Sequence, residues 1–238
     1  MKQNVFILLF LLSMSQAEDV YATFTVQADR SAHLAFSSGG IVDEVLVEIG
    51  AVVRKGDVLA SLQNKDLKAV LEIDKIKEKY SKRDYDRQVK VKSMIDKAKF
   101  DTFAFKYANA KVQVKYKQTL LDKTILKAPF DAIVFSKTVE KGDVVSGAMI
   151  RTILKVQSIH KRKIILEFDQ KYWNLVKVGD VFRYTLDGSD NILEGKISKI
   201  YPNVDSITRK IKAEVQAKDI MVGLFGTGTI ASRYESVK

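Results

Sequence analysis

The chain of 238 residues has no cysteine, which excludes disulfides, thiolate zinc sites and cysteine nucleophiles. Its only histidines, His33 and His160, stand far apart with no carboxylate cluster beside them, so a histidine metal centre or a catalytic triad lacks its parts. The five methionines (1, 14, 94, 149 and 221) are scattered, unlike the clusters that copper handling needs. No apolar run reaches the roughly 20 residues of a membrane span. Gly39-Gly40 is followed by no helix and no Lys-Ser/Thr pair, so it is not a phosphate loop. None of these residues supplies a recognisable catalytic or cofactor-binding motif. The most informative absence is local: residues 64–123 hold neither glycine nor proline, although the chain has 12 glycines and 2 prolines.

What is present begins with charge. The formal net charge is +11, compatible with nucleic acid, an acidic membrane or an acidic protein. Residues 64–123 carry seventeen Lys and Arg against nine Asp and Glu, so most of the excess sits in one segment. Nucleic-acid binding would call for arginines and aromatics on an exposed face; this segment has two arginines, and its aromatics follow a helical seam. At the N-terminus, Lys2, the apolar run Val5–Leu12 and the small residues Ser15 and Ala17 read as a signal peptide over 1–17. An uncleaved short anchoring helix is the alternative. Without a lipobox cysteine, the mature chain is expected to be exported and soluble.

The texture changes along the chain. Residues 20–63 and 124–156 are strand-like, and 157–230 continue as short strands with turns at Asp187-Gly188, Tyr201-Pro202 and Val222-Gly223. The glycine-free block reads as helix. Ala69, Ile73, Ile76 and Tyr80 recur at spacings of four and three, and Phe100, Tyr107, Val114 and Leu121 fall seven apart, with Phe103 and Ala110 between them. Such spacing predicts a coiled-coil seam along each helix. The seam lapses over residues 89–101, where Asp96 suits an N-cap for a helix starting at Lys97, so two antiparallel helices of about 27–30 residues with a tight turn near Lys92–Asp96 are expected, projecting roughly 40 Å.

The strand-like flanks repeat each other. With Gly50 aligned on Gly142, Val47-Glu48 matches Val139-Glu140 and Val52-Val53 matches Val144-Val145; Gly56 matches Gly147 after a one-residue offset. These four glycines are assigned to structural turns, supplying positive φ or close approach. His33 falls in an alternating strand pattern, and Trp173 with Tyr172 is expected in core or interface packing.

The two half-copies resemble the biotinyl/lipoyl carrier fold, but no Met-Lys-Met is present and the helical block occupies the tip that would carry the modified lysine. A split domain of this kind, followed by more strands, resembles the periplasmic adaptors, or membrane fusion proteins, of tripartite efflux pumps. Gly40-Ile41-Val42 and Gly50–Leu59 are similar to that family's first lipoyl half. Lys127–Val134 is similar to its re-entry, with Ala132 where glycine is usual; Ile200–Asp205 with Thr208-Arg209, and Val222-Gly223, are similar to its barrel. The resemblance implies a mixed β and α, elongated multidomain fold. A split lipoyl-like β domain (31–63 plus 124–156) carries an inserted α-helical coiled-coil hairpin (64–123) and is followed by a β-barrel domain (157–230). An N-terminal strand at 18–30 would join the barrel or a reduced membrane-proximal region, and 231–238 would be a C-terminal tail.

The same resemblance implies location in the periplasm of a Gram-negative envelope and three partners: an inner-membrane transporter, a TolC-type outer-membrane channel, and further copies of the chain as a trimer or hexamer. It also implies a channel contact at the hairpin tip, where the family has an Arg, a Leu and a Ser around the turn. Arg87 in Tyr85-Asp86-Arg87 takes the arginine position, Val91 the leucine position, and Asp96 aligns with the serine, with Ser93 the nearest serine in the chain. Resonance-nodulation-division pumps fit best. An ABC-linked secretion adaptor, or an exported basic binding module gripping an acidic surface with its helical arm, are the alternatives.

Overall fold

The computed structural model describes residues 19–231. The expected signal peptide at 1–17, and residues 232–238 of the expected tail, lie outside the described residues. In chain order the strands before the helices are β1 (Asp19–Ala28), β2 (Ser31–Leu34), β3 (Gly40–Val45), β4 (Val52–Val53) and β5 (Val58–Leu62). The helices α1 (Lys65–Lys90) and α2 (Lys97–Asp122) follow. After them come β6 (Ile125–Lys127), β7 (Ala132–Lys137), β8 (Val144–Val145), β9 (Leu154–Ser158), β10 (Lys161–Asp169), β11 (Val181–Leu186), β12 (Ile192–Val204), β13 (Lys210–Lys218) and β14 (Phe225–Ala231). The chain divides into two units: one joins the segment up to Asp29 to everything from His160 onward, and the other is Arg30–Ile159.

The first unit is a closed antiparallel barrel in the order β1-β10-β13-β12-β11-β14, with β14 pairing back to β1. Closure leaves no open sheet edge to aggregate. Alternation sends Val20, Ala22, Phe24, Val26 and Ala28 inward from β1, where they meet Ile164, Leu166 and Phe168 from β10 and Phe182 and Tyr184 from β11. Phe24 lies edge-on to Phe182 and Tyr184, at 5.8 and 5.2 Å between ring centres. Room for these rings comes from β14: a Cβ on Gly228 would meet the Arg183 carbonyl and the Phe182 ring, and one on Gly226 the Thr185 carbonyl and Phe24.

The second unit holds two four-stranded sheets, β2-β9-β7-β4 and β6-β5-β3-β8. Each draws strands from both sides of the helices, so neither flank supplies all the strands of either sheet. The hydrogen bonds repeat between halves. The Gly50 N–H donates to the Val134 carbonyl at 2.8 Å and the Gly142 N–H to the Val42 carbonyl at 2.9 Å; Val134 and Val42 return bonds to Ala51 and Asp143. Gly50 and Gly142 adopt φ of 91° and 94°, a conformation that favours glycine. Lys137 bridges the matched carboxylates Glu140 (2.7 Å) and Glu48 (2.9 Å), and hydrogen bonds to Glu140 first and then Glu48 hold its ammonium above the usual lysine value. Between the sheets lie Phe36, Val42, Leu59, Leu62, Leu126, Val134, Leu154 and Val156.

The two expected reasons for glycine divide between positions: Gly56 turns with φ 93°, whereas at Gly147 the need is close approach, since a Cβ there would stand 2.8 Å from the Gly39 nitrogen. Of the pair expected in core or interface packing, Tyr172 packs against the barrel core, while Trp173, which follows the short 3₁₀ turn Gln170–Tyr172, is 69% exposed and is not core. β9 also runs through Ser158, so the sandwich strands extend beyond residue 156.

Candidate docking site at the helical tip

The helical pair is anchored where it leaves the sheets. The Asn64 side-chain amide donates to the Thr124 hydroxyl at 3.0 Å, the Thr124 hydroxyl donates to the Leu121 carbonyl at 2.7 Å, and both side chains are buried. Burial of a fully bonded polar pair fixes the two chain crossings side by side. From there the helices run antiparallel. Each has 26 residues, about 39 Å at 1.5 Å per residue, slightly shorter than expected because the turn begins at Val91.

On α2 the half-buried residues include Phe100, Phe103, Tyr107, Ala110 and Val114, leading to buried Leu121, the heptad set read from the sequence, together with Ala104, Lys117, Gln118 and Leu120 beside it. On α1 the expected seam is wrong. Ala69, Ile73, Ile76 and Tyr80 are exposed, and the inward positions are Leu67, Leu71, Asp74, Glu78, Ser81, Tyr85 and Gln88. That set has the same four-and-three spacing but mixes polar with apolar residues, so an apolar count selects the wrong stripe. The aromatic rings of α2 fill the space: Tyr85 stacks on Tyr107 at 5.6 Å and tilts against Phe100 at 5.7 Å. Asp74 is nearly buried and is bonded by the Lys77 ammonium at 3.1 Å.

The tip runs from Arg87 to Asp96. Arg87 lies in the last turn of α1, largely exposed, with its guanidinium 3.7 Å from Asp84. Basic groups there complement the helix C-terminus. Val91 closes α1, its N–H donating to the Gln88 carbonyl at 3.2 Å, and Ser93 sits exposed in the 3₁₀ turn Lys92–Met94. Asp96 caps α2: its carboxylate accepts from the N–H groups of Ala98 (2.9 Å) and Lys99 (3.1 Å). This cap offsets the lysines at 97 and 99, which stand unfavourably at the positive end of the helix. Sequence reasoning passed over Met94, 84% exposed at the apex, and Lys92, whose ammonium stands 4.8 Å over the Phe100 ring. A flexible thioether at the apex of a bare turn is the readable signal for the first. Farther down, the Lys82 ammonium is held above its usual value by its hydrogen bond to Asp86, at 2.7 Å.

Arg87 thus lies in the last turn of α1, Val91 at its C-cap, Ser93 in the 3₁₀ turn and Asp96 at the N-cap of α2, all within the segment joining the helices, while Gly50, Gly56, Gly142 and Gly147 lie in the strand connections of the second unit. Among the described residues no group of three or more His, Asp or Glu could hold a metal ion, and no helix is long and apolar enough to cross a membrane. What the tip offers is a surface: basic and apolar side chains on a rigid support, suited to packing and ion pairing.

Comparison with known proteins agrees with this architecture. Residues 30–154 match the family model of the CzcB-like, barrel-sandwich hybrid domain. The chain is 24% identical over 205 residues to the cobalt-zinc-cadmium resistance protein CzcB of Cupriavidus metallidurans; the match takes in 79% of this chain but only 39% of that protein's length. A MacA-MexA chimeric protein containing the Pseudomonas aeruginosa MexA α-hairpin domain superimposes with a TM-score of 0.82 at 20% identity, covering 91% of this chain and 80% of that one. The membrane fusion protein Spr0693 from Streptococcus pneumoniae R6 gives 0.73 at 17% identity, covering 90% and 100%. At such identities the structural likeness concerns the fold.

Proposed function

The chain belongs to the CzcB-like barrel-sandwich hybrid family of membrane fusion proteins, the periplasmic adaptors, and on that premise we propose that it is the adaptor of a tripartite efflux pump of the resonance-nodulation-division type. In this reading the sandwich is a lipoyl-like domain and the helical pair a coiled-coil hairpin. Several copies ring a conduit between an inner-membrane transporter and a TolC-type outer-membrane channel, the tip residues Arg87, Val91, Ser93 and Asp96 meet the channel, and the protein acts from the periplasm without bond chemistry. The observation that carries the proposal is the insertion itself: a pair of 26-residue helices rises between two flanks that both contribute strands to each sheet, and ends in an exposed turn. A fold that only had to be stable would gain nothing from it.

The test is export. Deleting 70–118, which removes the helices evenly from both sides, abolishes export while barrel and sandwich stay folded. The first panel is cobalt, zinc and cadmium, after the name of the Cupriavidus relative. Because the chain has no native cysteine, cysteines at Arg87 and Val91 can be cross-linked in whole cells and trap an outer-membrane channel. Absence of a trapped channel with a folded protein sinks the tip assignment. The basic charge of 64–123 favours a second reading, an exported module gripping an acidic surface, which instead predicts salt-sensitive capture and export untouched by the deletion.

A further inference from the structure

The two sides of the helical pair differ in charge. On one side a groove runs between the helices, lined by Asp74, Lys77 and Ser81 of α1 and by Lys106, Asn109 and Gln113 of α2. Its cations are occupied: Lys77 bonds Asp74 at 3.1 Å, and Lys106 stands 5.8 Å over the Phe103 ring. Lys77 falls about 70° from the inward line of α1, and Lys106 about 80° from that of α2. In the other direction, Lys75 and Lys79 lie about 90° and 130° round α1, and Lys111 and Lys115 about 60° and 100° round α2. These four lysines therefore share the side opposite the groove, and all four are exposed.

The four also stand at one height. Asn64 bonds Thr124 at the base, and Tyr85 lies against Phe100 and Tyr107 near the tip. That antiparallel register sets Lys75 and Lys79 level with residues 109–113, beside Lys111 and Lys115. Each helix thus places two lysines four residues apart, a spacing at which like charges destabilise it. Relief is slight. Lys75 approaches Glu72 only to 3.9 Å, and among the described residues Lys79, Lys111 and Lys115 form no ion pair. Lys68 toward the base and Lys97 near the tip continue the row along the arm. No aromatic or large aliphatic residue stands among the four, because Ile73, Ile76, Tyr80, Val112 and Tyr116 point outward or toward the groove side.

We infer that this lysine side of the arm binds an anionic sugar polymer, a flexible hydroxylated chain carrying carboxylates or phosphates. Its chemistry excludes other anionic partners in turn. Single-stranded nucleic acid is held by aromatic stacking and arginine, and this side has neither. A membrane surface takes inserted apolar groups along with the basic ones, and a protein partner takes a buried aromatic or aliphatic anchor; both are absent here. Lysine ammonium groups are mobile point charges, so they match anions of uneven spacing without demanding the fixed fork of a guanidinium. A row that follows an arm of about 39 Å suits a chain better than a single ion. The surface goes beyond the adaptor reading and does not depend on it.

Charge reversal on the full chain tests it. Lys79→Glu with Lys111→Glu converts both repulsive pairs into attractive ones, so this variant should melt no lower than the parent. Its affinity for labelled polygalacturonate or phosphomannan, read by fluorescence anisotropy, should nonetheless fall by about tenfold or more. Tighter binding of the first polymer assigns carboxylates, and of the second phosphates. The parent's binding should fade as salt rises to about 0.3 M. On the groove side, Lys99→Glu with Lys106→Glu makes the same change in net charge and should weaken binding by less than about threefold. Equal losses from the two variants mean that total charge does the binding, which overturns the surface. Tighter binding of single-stranded DNA, or of phosphatidylglycerol vesicles, overturns the sugar polymer. If the parent binds neither polymer while export still requires 70–118, this surface falls and the adaptor reading stands. Polymer binding by the parent, with export unaffected by that deletion, is the reverse result.

Discussion

The barrel and the helical pair answer opposite demands. In the barrel, Phe168, Phe182, Leu166 and Ile230 are fully buried, each strand is paired on both sides, and glycines on β14 are spent on making room for aromatic rings. In the helical pair only Leu71 and Asp74 of α1 and Leu121 of α2 are buried, while isoleucines, tyrosines and a phenylalanine face water. A barrel core stabilises a chain by itself. A two-helix arm has too little interior for that, and it leaves Ile73, Ile76, Tyr80, Phe105 and Tyr116 exposed. The barrel is thus self-contained in a way the arm is not.

The largest effect that would sharpen this contrast lies in the barrel. Phe182→Ala removes a ring packed between Phe24 and Tyr184, and is expected to cost about 3–5 kcal/mol of barrel stability in urea unfolding followed by fluorescence. A cost below 1 kcal/mol would mean that the barrel is not a packed core. The arm should respond with the opposite sign. Asp74 occupies an inward position that an apolar residue would fill, so Asp74→Leu is expected to stabilise the helices by about 1 kcal/mol, read by hydrogen exchange along α1 and α2. Destabilisation there would show the polar seam to be essential to the pairing of α1 with α2, and the contrast would weaken.

The smallest effect is electrostatic. In the β12–β13 connection, Asp205 accepts from the N–H groups of Thr208 (2.8 Å) and Ile207 (2.9 Å), and these bonds, Thr208 first, hold its carboxyl below the ordinary 3.8. A folded value below the unfolded one means that the contribution is complete above the unfolded value and disappears as pH falls through the folded one. Amide exchange at 207 and 208 should therefore be protected at pH 5 and accelerate as pH drops below 3.8, and Asp205→Asn should remove the pH dependence. A pH-independent exchange rate, after correction for intrinsic chemistry, would show the turn to be held by the strands alone.

Much of the architecture was legible. The Gly-x-Val-Val repeat at Gly50 and Gly142 marks two turns with the same φ and matching hydrogen bonds, because a backbone requirement for positive φ leaves few residues to choose from. The glycine-free block is helical, and the cap at Asp96 follows from carboxylate chemistry. The seam of α2 could be read because large aromatic residues at heptad spacing have one economical place to go. At Gly147 the sequence left positive φ and close approach open, and only tertiary folding, which brings the Gly39 backbone close, decided for the second.

By itself, then, the sequence determined where the chain interrupts a β domain with helix, where it turns at Gly50, Gly142, Gly188 and Gly223, and which face of α2 is inward; the turn expected at Tyr201-Pro202 is strand, β12 running to Val204. Only the tertiary structure decided which face α1 turns to α2. That helix carries two stripes of equal period about 200° apart, and periodicity alone cannot rank them. The rings of Phe100 and Tyr107 settled the matter by occupying the space between the helices around Tyr85, which leaves Ile73, Ile76 and Tyr80 on the outside.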